Sequence, residues 1–208
     1  TSADPLGMFA DALASAVNQP VTAWRSAPSA TEIERIAVKW LDQLTGFDGE
    51  GGLLVSGGSS ANFHGLACAV SEAEHAAGLP SGSRHRLTAY LSREGHVSVR
   101  KALRLLGLPT ENVRIIGIDE NRRMRLDQLC RQIETDTEAG LIPAVVCASA
   151  GTANTGAIDQ LLEIGAACQE YGIWYHIDGS YGAPAVITDH YSWMKSAFTH
   201  ADSMSLDP

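Results

Sequence analysis

The stretch from Pro143 to Pro184 constrains the fold most. An apolar run over 143–148 leads through a turn of small residues into a helical segment over 159–171, and Ile173–Ile177 forms a second apolar run. This order predicts strand, helix and parallel strand, because parallel strands need a long crossover. Ligands bind at the carboxyl ends of such strands. Asp178 follows the second run, so we expect an acidic site there for a cationic group of a ligand.

The rest of the chain repeats the alternation of apolar runs and helical periodicity. Helices are predicted from a capping-box pattern at Ser29–Glu32 to Gly46 and at 63–77, 97–106, 125–137 and 191–197; strands are predicted at Leu53–Val55, 87–91, 113–118 and from 204. This pattern predicts an α/β fold, a doubly wound, mostly parallel sheet with helices on both faces. Residues 29–208 are predicted to form one domain, preceded by an N-terminal segment over 1–28.

Composition excludes several classes of partner. The chain has 208 residues and a net charge of −9 without a basic stripe, which argues against nucleic acid and anionic membranes. No apolar run approaches the ~20 residues of a membrane span. The four widely spaced cysteines predict buried free thiols in a reducing compartment, hence a cytoplasmic protein, and their spacing predicts no metal site.

Polar groups follow several of the predicted strands. Ser56–Asn62 is a run of small residues between a strand and a helix, where backbone N–H groups can approach an anion; alone this is a weak signal. His96 begins a helix, and Gly151–Thr155 is a small hydroxyl-bearing turn. With Asp178 this set fits pyridoxal 5′-phosphate (PLP), which needs phosphate donors, a stacking partner and a carboxylate for its pyridine nitrogen.

Motifs in the same order occur in a known family. The chain resembles the group II PLP-dependent decarboxylases of the aromatic-L-amino-acid decarboxylase type, which have the fold-type I (aspartate aminotransferase-like) large domain. The resemblance covers nearly the whole chain and rests on these motifs: Trp24…Pro28…Glu34, Ser56–Asn62, Glu94–Ala102 around His96, Gly151…Asp159, His176–Gly182 and Ala201…Pro208.

The resemblance implies roles for individual residues. Gly58 and Ser59 match the phosphate-binding pair, and His96 matches the imidazole that stacks on the cofactor ring and contacts the substrate. Asp178 matches the carboxylate that pairs with the pyridine nitrogen, and His176 is a candidate to support it.

Four further positions match the family pattern or depart from it. Ser180 stands where relatives most often have Ala under the ring, and Thr152 matches a hydroxyl near the cofactor. Ala153 replaces a frequent Thr, which removes one contact. Asp207 stands where relatives often have Asn or Asp near the phosphate, but an ionised carboxylate beside a dianion is a poor direct ligand.

The resemblance further implies that the protein is a lyase of amino acid metabolism. It also implies a homodimer with residues 1–28 at its interface. The expected reaction converts a small-molecule L-amino acid, aromatic or indolic, to its amine and CO₂. Pro20 and Thr22 stand where relatives active on aromatic substrates carry apolar or aromatic residues.

Three alternatives stay open. An aldehyde synthase would use the same scaffold, and an acidic amino acid decarboxylase would need basic residues, for which Arg25 is the local candidate. A non-catalytic decarboxylase-like module is the third, because the family's His-Lys pair, with the lysine that holds the cofactor covalently, would follow Pro208. Lys195 lies in another context and is not expected to replace that lysine.

Overall fold

A computed structural model describes residues 4–49 and 51–207. The helices are α1 (Pro5–Val17), α2 (Pro28–Thr45), α3 (Gly58–Ala76), α4 (Val97–Leu105), α5 (Leu126–Glu138), α6 (Leu161–Tyr171) and α7 (Met194–Phe198). The strands are β1 (Leu87–Ser92), β2 (Val113–Ile116), β3 (Ile142–Ser149), β4 (Trp174–Asp178) and β5 (Ser203–Ser205).

The strands form one sheet in the order β2-β1-β3-β4-β5, and every pairing is parallel. The register pairs Cys147 with His176 and Asp178 with Ser205. From β1 the chain crosses to β2 on one side, whereas β3, β4 and β5 extend the sheet on the other. The order therefore reverses between β1 and β3, the kind of point where open α/β sheets bind ligands.

Helices cover both faces of the sheet, which confirms the predicted fold class. On one face α3 and α4 bury Leu66 and Leu103 against β1 and β3. On the other face α5, α6 and α7 bury Ile133, Ile164 and Phe198. The strands read as continuous apolar runs because they are covered on both sides.

The N-terminal segment contains a regular helix, α1, that packs against no core of the described chain. The Asp4 side chain accepts a hydrogen bond from the Leu6 backbone N–H at 2.8 Å, and Asn18 ends α1 in the left-handed conformation. No residue of α1 is buried, and Phe9 and Leu13 are 71% and 66% exposed. The apolar side of α1 thus contributes nothing to the core of this chain.

The capping box predicted at Ser29–Glu32 is wrong. Helix α2 starts at Pro28 with Ala27 as its N-cap and no side-chain cap. Proline favours the first helical position because its fixed φ suits the helix and its missing N–H would be unpaired there. Glu32 instead bonds to Arg35 at 2.9 Å. Gly46 ends the helix with φ 75°, as predicted.

The strand predicted at Leu53–Val55 is also wrong. These residues lie in an irregular segment, and Leu53 and Leu54 are 62% and 57% exposed. The Leu54 backbone N–H donates to Glu34 Oε1 at 2.9 Å rather than to a neighbouring strand. A short apolar run forms a β-strand only where a neighbouring strand can pair with its backbone, and this segment has none among the described residues.

The cysteines are unpaired thiols in the described part of the chain. Cys147 and Cys168 are buried as predicted, but Cys68 is exposed on α3, so the expectation of burial is wrong there. Burial raises the pKa of Cys168 to about 12. None of the described helices combines the length and apolar character that crossing a bilayer requires.

Candidate active site

A cavity of about 540 Å³ lies at the carboxyl edge of the sheet, next to the point where the strand order reverses. It is lined by residues from the start of α3, the start of α4 and the ends of β3, β4 and β5: Gly58, Ser59, Asn62, His96, Ser149, Gly151, Thr152, Ala153, Asp178, Ser180, Tyr181 and Asp207. The residues predicted from the sequence to contact the cofactor are all in this set, whereas His176, the predicted support for Asp178, is not. Their roles toward a ligand stay predictions.

The start of α3 forms one wall. Gly57 caps the helix with φ 81°, and α3 begins at Gly58 rather than at the predicted Phe63. The Ser60 and Ala61 N–H groups donate to the Gly57 carbonyl, so Gly58 and Ser59 precede the first helical hydrogen bonds. Such free N–H groups at a helix start favour an anion.

Gly58 is required by a close approach. A Cβ atom at this position would lie 2.5 Å from Ser180 Oγ, well inside van der Waals contact. The start of α3 therefore packs directly on the turn after β4. This contact brings the start of α3 next to the residues that follow Asp178.

Asp178 ends β4 and is 8% exposed. Its Oδ1 accepts hydrogen bonds from Ser180 Oγ at 3.0 Å and from Ser205 Oγ at 3.2 Å, and a weaker one from the Ser180 N–H at 3.4 Å. Within residues 4–49 and 51–207, Oδ2 accepts none. One carboxylate oxygen is thus held by two serine hydroxyls, and the other remains for a donor inside the cavity.

His96 is the N-cap of α4. Its Nδ1 lies 2.7 Å from Ser98 Oγ and accepts a long hydrogen bond from the Ser98 backbone N–H at 3.3 Å. These contacts turn the Nδ1 edge of the ring toward the helix. The Nε2 edge is left for the cavity that the ring lines.

The turn after β3 contributes Thr152, which is buried. Thr152 Oγ1 lies 2.7 Å from Thr155 Oγ1, and its backbone N–H donates to the Ala157 carbonyl at 2.9 Å. The hydroxyl is therefore held within its own turn. Ala153 also lines the cavity but offers only a methyl group there.

His176 lies one pleat before Asp178, on the α3 face of β4, and is fully buried. Its Nε2 is 2.9 Å from Asn62 Oδ1 and its Nδ1 is 2.8 Å from Ser203 Oγ. Burial lowers the pKa of His176 to about 4, although the charge of Asp178 opposes this shift. The ring is therefore neutral at neutral pH.

Sequence reasoning missed Asn62, which is 1% exposed and joins His176 to Ser98. It was assigned to the small-residue turn, but it lies one helical turn after Gly58 on the same side of α3. The spacing of four residues was the available signal, once the helix was known to begin at Gly58.

Asp159 holds the end of β3 from behind. Its two carboxylate oxygens accept the backbone N–H groups of Met124 at 2.6 Å and Ser149 at 2.8 Å. Burial raises the pKa of this carboxyl to about 6, against those two hydrogen bonds. Since Ser149 lines the cavity, Asp159 fixes part of the cavity wall without reaching into it.

Lys195 lies on α7, where its Cβ packs against Gly46. No lysine of the described residues lines the cavity. This position agrees with the expectation that Lys195 does not act at the site. Asp207 does line the cavity, at the end of the described chain.

Fold and cavity together define a class. This is a doubly wound α/β domain whose site joins a helix start, a carboxylate and an imidazole at one sheet edge. These groups fit the three parts of PLP, since the start of α3 suits a phosphate, His96 a flat ring and Asp178 a protonated ring nitrogen. The close approach of Gly58 to Ser180 brings two of these groups together.

Comparison with known proteins gives the family. The chain matches the pyridoxal-dependent decarboxylase conserved domain over residues 1–208 and belongs to this family, whose cofactor is PLP. It is 39% identical to an aromatic-L-amino-acid decarboxylase of Bacillus atrophaeus over 98% of the chain and 41% of the relative. A phenylacetaldehyde synthase of Petunia hybrida is 32% identical over 99% of the chain and 42% of that relative.

A solved structure agrees with the fold. The crystal structure of Oryza sativa TDC with PLP superposes with a TM-score of 0.90 at 28% identity, over 99% of this chain and 46% of that one. The chain therefore spans less than half the length of these relatives.

Proposed function

We propose that the protein to which this chain belongs decarboxylates an aromatic L-amino acid to its amine and CO₂, using PLP. The observation that carries this proposal is Asp178, a nearly buried carboxylate with one oxygen held by Ser180 and Ser205 and the other open to the cavity. The 39% identity to an aromatic-L-amino-acid decarboxylase supports the reaction and the substrate class.

Each residue of the site has a distinct task in this proposal. The N–H groups at Gly58 and Ser59 bind the phosphate, and His96 packs on the ring beside the substrate. Asp178 keeps a proton on the ring nitrogen. When bound, PLP supplies a sink for the electrons left as the Cα–carboxylate bond breaks. Ser180 and Thr152 shape the space around the ring, and Ser180 orients Asp178.

The family resemblance also supports a proposal for the assembly. We propose a homodimer in which residues 1–28 pack on the partner and residues 29–208 form the cofactor-binding domain. Helix α1 buries none of its residues within the chain although it carries Phe9 and Leu13. The unpaired thiols Cys147 and Cys168 support a reducing, cytoplasmic location.

An aldehyde synthase is the second candidate, because the Petunia hybrida relative is named for that activity and is 32% identical. An aldehyde synthase consumes oxygen and releases ammonia and peroxide with CO₂. An acidic amino acid decarboxylase finds less support, since none of the residues that line the described cavity is basic except His96.

Product analysis of the full-length protein separates these candidates. The PLP-loaded protein is incubated with tryptophan, tyrosine, phenylalanine and glutamate, and amine, aldehyde, peroxide and CO₂ are measured. We expect amine and CO₂ from an aromatic substrate without peroxide. Aldehyde with equimolar peroxide would establish the synthase, and bound PLP without product from any of the four substrates would favour the non-catalytic module.

A further inference from the structure

A chain of hydrogen bonds runs through the core beneath the cavity and ends at His96. Its links are Trp174 Nε1 to Ser203 Oγ at 2.9 Å, Ser203 Oγ to His176 Nδ1 at 2.8 Å, His176 Nε2 to Asn62 Oδ1 at 2.9 Å, Asn62 Nδ2 to Ser98 Oγ at 3.2 Å and Ser98 Oγ to His96 Nδ1 at 2.7 Å. The chain connects β4, β5, α3 and α4.

The middle of this hydrogen-bond chain is almost completely buried. His176 is 0% exposed, Asn62 1% and Ser98 6%. Buried polar groups must find their partners within the protein, because leaving one unpaired costs about 1–3 kcal/mol. In this series of hydrogen bonds, the donor or acceptor role of each group therefore depends on the role of its neighbour.

The Trp174 end agrees with one direction. An indole N–H can only donate, so Ser203 Oγ accepts from Trp174 and its own proton is free for His176 Nδ1. A neutral imidazole carries one N–H. Because Asn62 Oδ1 can only accept, the N–H of His176 is on Nε2, and Nδ1 accepts from the Ser203 hydroxyl.

The His96 end sets the same direction independently. The Asn62 NH₂ group donates to Ser98 Oγ, which leaves the Ser98 hydroxyl proton for His96 Nδ1. The Ser98 backbone N–H donates to the same nitrogen. If every hydrogen bond ran the other way, the Ser98 backbone N–H would face an N–H on His96 Nδ1. The Ser203 hydroxyl would then also lose His176 Nδ1 as its acceptor.

We propose that Asn62, Ser98 and His176 are positioning residues that fix His96 as the Nε2–H tautomer and so present a hydrogen-bond donor to the cavity. The use of that donor, toward a bound substrate, rests on the proposed function; the tautomer does not. The Asn62 amide cannot pass a proton along. The chain therefore orients His96 and does not conduct protons to it.

The test is the tautomer of His96 in the full-length protein without cofactor, labelled with ¹⁵N-histidine. His96→Gln assigns the resonances, because ¹⁵N shifts differ between protonated and bare ring nitrogens. We expect the Nε2–H form in at least about tenfold excess, the ratio that one hydrogen bond of ordinary net strength supports. An equal mixture, or a predominant Nδ1–H form, in the unmutated protein would overturn the proposal.

Asn62→Asp tests the direction of the chain. A carboxylate only accepts, so in the variant the Ser98 hydroxyl would donate its hydrogen bond to the new carboxylate, and Ser98 Oγ would accept from His96 Nδ1–H. We expect the tautomer ratio to reverse or to fall at least about tenfold. Cys68→Ser, an exposed change on the same helix, is the matched control and should leave the ratio unchanged. An unchanged ratio in folded Asn62→Asp would contradict the proposal.

Two further points keep the test decisive. If Asn62→Asp fails to fold, the measurement on the unmutated protein still decides the tautomer. PLP binding is followed separately by absorbance. A fixed Nε2–H tautomer without PLP binding would support this inference and contradict the proposed function. PLP binding with mixed tautomers would contradict this inference and leave the proposed function standing.

Discussion

The cavity edge and the N-terminal helices bury opposite kinds of side chain. At the cavity edge, polar groups such as Asp178, His176 and Asn62 are almost completely buried and hydrogen-bonded. In α1 and α2, large apolar side chains are exposed instead, with Phe9 at 71% and Trp40 at 66%. The usual rule that apolar side chains are buried and polar side chains are exposed therefore holds in neither region.

The two regions differ in where their side chains find contacts. The site region hydrogen-bonds most of its polar groups within the described residues, and Asp178 Oδ2 is the exception that faces the cavity, so the geometry of the site is fixed by the sheet and by α3. The apolar side chains of α1 and α2 are left without cover by the described residues. Substitutions should therefore act through folding and chemistry in the first region and through association in the second.

The largest effect is expected at Asp178. Asp178→Ala removes the carboxylate that would pair with the ring nitrogen, and we expect decarboxylation by the full-length protein to fall at least about 100-fold, the scale of a lost charged hydrogen bond. Asp178→Glu retains the charge and should retain much more activity. Steady-state assays at saturating PLP measure both. Equal, mild losses in the two variants would remove the assigned role.

Leucines of the two regions give a direct contrast. Leu66 in α3 is fully buried, so Leu66→Ala should lower the free energy of unfolding by about 2–5 kcal/mol. Leu13 in α1 is 66% exposed, so Leu13→Ala should change it by less than about 0.5 kcal/mol in the monomer. Urea unfolding measures both values.

The same Leu13→Ala variant should shift association. Sedimentation at decreasing protein concentration is expected to show dissociation of Leu13→Ala before the unmutated protein dissociates. An unmutated protein that is monomeric at every concentration would contradict the proposed homodimer and leave the apolar side of α1 unexplained.

Glycines provide a matched pair of smaller effects. A methyl group at Gly58 would meet Ser180 Oγ at 2.5 Å, so Gly58→Ala should destabilise by about 1–3 kcal/mol and weaken PLP binding. A methyl group at Gly7 in α1 meets nothing within 4 Å, so Gly7→Ala should stabilise by about 0.5–1 kcal/mol. Thermal unfolding and absorbance titration with PLP test the pair. Normal PLP binding by Gly58→Ala would show that this approach is not needed.

The smallest net effect is expected from pH, because two buried groups act in opposite directions. His176 has a folded-state pKa of about 4, below its ordinary 6.5, so its contribution to stability is lost as pH falls from about 6.5 toward 4. Asp159 has a folded-state pKa of about 6, above its ordinary 3.8, so its contribution grows as pH falls over nearly the same range. The two contributions largely offset.

Single variants should expose each contribution. Relative to the unmutated protein, His176→Gln should gain up to about 3 kcal/mol of stability between pH 7 and pH 4, and Asp159→Asn should lose a similar amount. Urea unfolding at pH 7, 5.5 and 4 gives the differences. Relative stabilities that do not change with pH would show that neither group is perturbed by burial.

The sheet could be predicted from sequence because its strands are covered on both faces and read as continuous apolar runs. Leu53–Val55 has the same appearance but lies against no strand, and pairing partners are not visible in a local pattern. The start of α3 was missed because Gly and Ser are poor helix formers, although Gly57 supplies the positive φ that begins it.

The site was more predictable in its residues than in its connections. Residues that match family motifs, such as His96 and Asp178, were found at once. Asn62 also lies in a matching motif, but its role was not predicted, because a polar residue within a run of small ones resembles a surface turn. Its role follows from contact with His176, 114 positions along the chain, and no local pattern contains that contact.

A crystal structure of the full-length protein with PLP would decide whether this cavity is the cofactor site. We expect the ring nitrogen within about 2.7–2.9 Å of Asp178 Oδ2, the length of a charge-assisted hydrogen bond, with the phosphate at the N–H groups of Gly58 and Ser59 and the His96 ring stacked on the cofactor. PLP bound elsewhere, or with its ring nitrogen away from Asp178, would contradict the assignment.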